Sequence, residues 1–86
     1  MIVEFTAGYE IWHLNTDSRY AKICDKETNK TLRESHNLGL ICQLEDGRIA
    51  AYEGTYGQIG VSDFLTDTHW FQQNGPGILW MADTPT

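Results

Sequence analysis

Cysteine is scarce in this chain: Cys24 and Cys42 are the two among 86 residues. They have no C-x-x-C spacing, and none of His13, His36 and His69 stands at ligand spacing from a cysteine or from another histidine. No zinc site and no other metal site is read from such a pattern. Apolar runs are short, and none approaches the roughly 18 residues of a membrane span. No apolar segment of signal-peptide type opens the sequence, so the expectation is a cytoplasmic protein with two buried, reduced thiols. A cross-strand disulfide is open to them if the two strands neighbour each other with Cα atoms about 5.5 Å apart. Basic residues are few as well. Six Lys and Arg stand against twelve Asp and Glu, for a net charge of −6. A chain so charged lacks the basic surface that neutralises phosphates or meets an anionic bilayer, so neither direct nucleic-acid binding nor membrane binding is expected. A protein partner with a basic surface is compatible with it.

Phosphate-binding loops are also missing. Gly54-Thr-Tyr-Gly57 and Gly75-Pro-Gly77 are rich in glycine, but they lack the Lys and the strand–loop–helix setting of a phosphate loop, and they read as turns. The bases Arg19, Lys22, Lys26, Lys30, Arg33 and Arg48 are interleaved with Asp17, Asp25, Glu27 and Glu34, which makes a mixed solvated face. No cofactor is implied.

Large apolar groups are plentiful: three Trp, four Tyr and three Phe in a chain that is 41% hydrophobic. A chain of this length makes one domain, residues 1–86, with 83–86 as a short tail, and it buries only about 60–65% of its unfolded surface. Ile2 to Phe5 alternates and reads as a strand, Ala7-Gly8 as a turn, and Tyr9 to Leu14 as a second strand. Asn15 to Ser18 is a loop by composition. Tyr20 to Asp25 reads as a third strand, with a polar tip in which Asn29 can take the left-handed position of a bulged hairpin. Thr31 to Glu34 returns as a fourth strand, although Thr31-x-x-Glu34 also fits a capping box that opens a short helical turn.

The strongest local signal is Gly39 to Tyr52, two strands about Asp46-Gly47. A two-residue turn there pairs Glu45 with Arg48, Leu44 with Ile49, Cys42 with Ala51 and Leu40 with Glu53. Leu40, Cys42, Leu44, Ile49 and Ala51 then share one apolar face. Residues 62–73 predict a helix: Ser62 is a suitable N-cap, Asp63 sits at the positive end of the dipole, and Phe64, Leu65, Thr68 and Phe71 share a stripe. A strand through Thr68 to Gln72 is the alternative. Ile78 to Met81 closes the pattern as an apolar strand. The fold expected from these elements is α+β, a curved antiparallel sheet of five or six strands with one short helix at 62–73.

No catalytic set is visible. Asp63 and Asp67 lie one helical turn apart with Trp70 beside them, a position where acids are favoured by the dipole alone. The aromatics exceed what one sheet face of a small core must bury, and exposed Trp and Tyr are common anchors of protein interfaces. The functional expectation is a small acidic protein-interaction module and not an enzyme. Its partner-binding residues are Glu45, Asp46, Glu53, Asp63, Asp67 and Trp70. In its sharpest form it is an inhibitor that occupies a basic surface of a larger protein. Compact acidic proteins of this size occur among phage-encoded, anti-CRISPR-type inhibitors, an analogy of size and charge alone. The alternatives are a β-rich domain holding a small ligand at a barrel mouth, and a minor enzyme with an Asp/His or Cys/His site.

Overall fold

The structure, a computed structural model, describes residues 1–54, 64–65 and 77–85. Strands β1 (Ile2–Ala7), β2 (Glu10–Asn15), β3 (Tyr20–Asp25) and β4 (Thr31–Ser35) form an antiparallel meander in sequence order. Strands β5 (Leu38–Gln43), β6 (Ile49–Glu53) and β8 (Ile78–Met81) form the antiparallel part of a second sheet, and the two-residue β7 (Phe64–Leu65) runs parallel to β5 at its edge. The architecture is therefore all-β, with two sheets where one sheet and a helix were expected. Among the described residues there is no helix, and none that is long and apolar enough to cross a membrane. Phe64 and Leu65, inside the helix expected at 62–73, are a strand aligned with Ile41 and Cys42. The rest of that segment lies outside the described residues. At these two residues pairing beside a neighbouring strand, not helical spacing, sets the backbone.

In the first sheet, successive side chains alternate between a core face and an outer face. The core face carries Val3, Phe5 and Ala7 on β1, and Trp12, Leu14, Ala21 and Ile23 on β2 and β3. Against it packs the second sheet with Leu38, Ile41, Ile49 and Ala51, joined by Leu79, Trp80 and Ala82. Trp12, at zero exposure, is the largest side chain fully enclosed among the described residues. Its ring stacks on Phe5 at 5.2 Å and meets Trp80 edge to face at 6.0 Å. Arg33 lies over the Trp80 ring, 5.7 Å from the centroid, while its guanidinium donates to Glu10 at 2.8 Å. Leu40, Cys42, Ala50 and Tyr52 form a second buried cluster with Met81, on the opposite face of β5, β6 and β8.

The β5–β6 register departs from expectation by one residue. Ile49 stands opposite Gln43, Ala50 opposite Cys42, Ala51 opposite Ile41, and Tyr52 opposite Leu40. Leu44 bonds Arg48 instead of Ile49: its amide donates to the Arg48 carbonyl at 2.8 Å, and the Gly47 amide donates to the Leu44 carbonyl at 3.0 Å. The loop is thus Glu45-Asp46-Gly47, with Gly47 at φ +91° and Asp46 in ordinary φ space. This is the three-residue hairpin, a turn followed by a left-handed Gly. The single-residue slip exchanges the faces, so Ile49 and Ala51 join Ile41 in the intersheet core, while Leu40 and Cys42 join the other cluster.

The chain passes from sheet to sheet at His36-Asn37. Arg19, at φ +59°, holds this crossing. Its guanidinium donates to Asn37 Oδ1 and to the Leu38 carbonyl, and its own carbonyl accepts the Leu38 amide at 3.1 Å.

Candidate functional site

The up-and-down path sets three turns at one end of the molecule: Gly8-Tyr9 between β1 and β2, Lys26 to Lys30 between β3 and β4, and Glu45 to Gly47 between β5 and β6. The segment after β8 ends there too. A Cβ at Gly8 would meet Thr84 Oγ1 at 4.0 Å, and one at Gly47 would meet the Pro85 side chain at 3.6 Å. Asp83 to Pro85 therefore runs between the turns of the two sheets.

Each turn is rigidly made. Gly8 has φ +62° at the first loop position, where a two-residue II′ turn calls for Gly. The Lys26 amide donates to the Tyr9 carbonyl at 2.8 Å and ties that turn to its neighbour. In the neighbouring turn Asp25 Oδ1 accepts the amides of Glu27 and Thr28 at 2.8 and 2.9 Å, and Asn29 takes φ +61° as its sequence position suggested. Those amides hold the Asp25 carboxyl below its ordinary range. In the third turn Asp46 Oδ1 accepts the Arg48 amide at 3.0 Å and Oδ2 accepts from the guanidinium at 2.7 Å. The Arg48 amide, foremost, lowers the Asp46 carboxyl as well.

Of the expected partner-binding residues, Glu45 and Asp46 are exposed at this end. Glu53 is exposed at the far end of β6, opposite Leu38 and about 17 Å away along a strand of five residues from Arg48. The structure does not bring it beside the other two. Asp63, Asp67 and Trp70 lie outside the described residues. Sequence reading missed Tyr9. Taken as the first residue of β2, it is the second residue of the turn, and at 75% exposure it is the most exposed of the large apolar side chains among the described residues. The Ala7-Gly8 turn signal was present; a Gly-X loop directly before an alternating strand carries X to the tip.

Elsewhere among the described residues, the ionisable side chains that come together do so in surface pairs. On the outer face of the first sheet, Glu4, His13, Lys22 and Glu34 form one row across four strands. His13 Nδ1 lies 3.5 Å from Glu4, and the Tyr20 hydroxyl donates to Glu34 at 2.6 Å, which raises the Tyr20 phenol above its ordinary range. His36 lies 3.7 Å from the same carboxylate. Among the described residues no three or more His, Cys, Asp or Glu converge to hold a metal. Cys24 and Cys42 are both free and buried, in strands of different sheets, and Cys42 belongs to the cluster on the face of β5 and β6 opposite the intersheet core. Burial pushes the Cys42 thiol up to about 12, where it is protonated and unreactive at neutral pH.

No family model, curated protein or solved structure matches the chain.

Proposed function

We propose that this chain is a non-catalytic protein-interaction module that docks its turn-bearing end against a basic surface of a larger protein. The observation that carries the proposal is Tyr9, 75% exposed at the tip of a tight hairpin; its end of the molecule carries the exposed acids Glu27, Glu45, Asp46 and Asp83 against the exposed Lys26 and Lys30 and the half-buried Arg48. A large amphipathic ring on a fixed turn loses little freedom on burial, which suits a contact anchor. Acids outnumber bases at this end, and that excess would accelerate encounter with a basic surface and set its orientation. Net charge supports the same sign of partner, since no Lys or Arg follows Arg48 in the sequence. Asp63, Asp67 and Trp70 belong to that base-free half of the sequence and are proposed, from their residue types alone, as further partner-binding residues. Glu53, at the other end of β6, would serve a separate contact.

The sharpest form of the proposal is an inhibitor of the phage-encoded kind, acting by covering a basic groove. Two free buried thiols support a reducing, cytoplasmic setting for it. The test is recovery of a partner from lysate by the wild-type chain, followed by binding kinetics at low and high salt. A recovered partner whose association rate falls steeply with salt supports the reading. Salt-independent binding, or binding untouched by Tyr9→Ala, overturns it.

A further inference from the structure

Strand β1 is an edge of the first sheet, with β2 on one side. The Thr16 amide donates to the Met1 carbonyl at 2.9 Å, and Ala7 pairs with Glu10 across the turn. In an antiparallel ladder, backbone groups of successive residues point to opposite sides. Met1, Val3, Phe5 and Ala7 therefore bond towards β2, and Ile2, Glu4 and Thr6 direct their amides and carbonyls away from it. All three of those residues are exposed, Ile2 at 65%. Among the described residues, no strand pairs with that side of β1.

Sheets guard their edges with proline, lysine, bulges or short strands. The opposite edge, β4, meets β3 through a bulge and carries Arg33 and Glu34. Strand β1 runs six residues as Ile-Val-Glu-Phe-Thr-Ala, without proline, lysine or a register shift. Its one charge, Glu4, stands at the centre of the three outward residues.

We propose that this edge accepts an extended segment of a partner protein as an added antiparallel strand, with a Lys or Arg of that segment facing Glu4. Backbone groups of Ile2, Glu4 and Thr6 supply the ladder, and Glu4 supplies the selection. A second copy of this chain fits worse. Antiparallel pairing of two β1 edges through all three outward residues sets the two Glu4 side chains directly opposite each other, and facing like charges are destabilising. A basic residue in that place instead extends the row of Glu4, His13, Lys22 and Glu34 with alternating sign at its open end. This surface stands apart from the turn-bearing end, and the inference does not rest on the docking proposed there.

The probe is a short blocked peptide of alternating Thr and Val with Lys at its centre, titrated into the whole chain while amide hydrogen exchange is followed residue by residue. Exchange at Ile2, Glu4 and Thr6 should slow, and a peptide with Glu at its centre should bind more weakly. Thr6→Pro removes one outward donor without breaking a bond to β2, so the fold should persist while affinity falls about tenfold. Glu4→Lys should reverse the preference between the two peptides. Unchanged exchange at the three amides up to the solubility limit of the peptide overturns the inference. So does slowing that depends on protein concentration without peptide, which would make the occupant a second copy. Because the readout is confined to β1 and needs no recovered partner, it fails or succeeds independently of the turn-end proposal.

Discussion

Trp12 and Trp80 meet edge to face across the two sheets, their ring centroids 6.0 Å apart. Trp12 is fully enclosed and Trp80 half-buried beneath Arg33. The pair joins the first sheet to β8, an edge of the second. Trp12→Ala should destabilise the protein by about 3–5 kcal/mol, as large aromatic truncations in cores do. A chain of this size has little more than that to lose. Trp80→Ala should cost less, because part of the ring is already in water. A double-mutant cycle by urea unfolding should return a coupling of about 0.5–1.5 kcal/mol between the rings, and zero coupling would show that the contact is packing only.

The loop of β5 and β6 makes a second prediction. Gly47 at φ +91° follows a turn closed by the Gly47 amide on the Leu44 carbonyl. A β-branched side chain resists that region, so Gly47→Val should cost about 1 kcal/mol or more. A Cβ there would sit in ordinary contact with Pro85, at 3.6 Å, so the cost comes from the backbone and not from a clash. Gly47→Asn, which tolerates left-handed backbone, should cost less than Val. Denaturant midpoints of the two variants give the order, and equal losses would place the strain elsewhere.

Asp25 gives the acid side of the stability curve a defined sign. The amides of Thr28 and Glu27 hold its carboxyl below the ordinary 3.8, and the Arg48 amide does the same for Asp46. A carboxyl with a depressed folded-state pKa binds fewer protons in the folded chain than in the unfolded one. Its contribution is complete above the ordinary value and is lost as pH falls through the folded one. Asp25→Asn keeps the oxygen that accepts the two amides and removes only the charge. It should flatten the fall in stability below pH 3.8. Asp25→Ala should flatten it equally and lower stability at neutral pH as well, because the turn loses its acceptor. Unfolding midpoints across the acid range check both, and an unchanged slope in Asp25→Asn would show that the charge is not coupled to folding.

Local sequence made the strands of the first sheet legible. Period-two alternation marks Ile2 to Phe5 and Tyr20 to Asp25, and Asn29 identified its own turn geometry. The division into two sheets was not legible. The crossing is made at His36-Asn37 and fixed by Arg19, far away in sequence, through bonds that no local pattern encodes. The register error at Leu44 has a narrower cause. Asp-Gly suits a two-residue turn with both residues at positive φ, and equally a three-residue loop with Gly alone there. The choice decides which of Leu40 and Ile41 faces the first sheet. At Phe64 and Leu65, local helical signals from Ser62 and the apolar stripe competed with alignment beside β5, and the strand won. Exposure of Glu45 and Asp46 followed from the hairpin alone, whereas the nearness of Tyr9 to them needed the second sheet.

The last prediction concerns that grouping. Tyr9, Glu45 and Asp46 lie at one end, with the segment Asp83 to Pro85 running between their turns. Charge and ring should act on different steps of binding. Reversal of Glu45 and Asp83 to Lys should slow association with a basic partner and reduce its dependence on salt. Asp46 is left in place, because its carboxylate holds Arg48 and its loss would confound folding with binding. Tyr9→Ala should leave association nearly unchanged and speed dissociation, by about 2 kcal/mol or more if the ring is a hot spot. Tyr9→Phe keeps the apolar ring and should retain most of the affinity unless the hydroxyl is bonded in the complex. Exposed substitutions of this kind usually cost under about 0.5 kcal/mol of stability, so thermal unfolding should barely move. Surface-based kinetics on the recovered partner separate the steps. Should Glu53→Lys slow association as much as Glu45→Lys, the partner reaches both ends of β6 and the contact is not confined to the turns. Parental kinetics in Tyr9→Ala would remove the ring from the interface and leave the acids of this end as a solvated face.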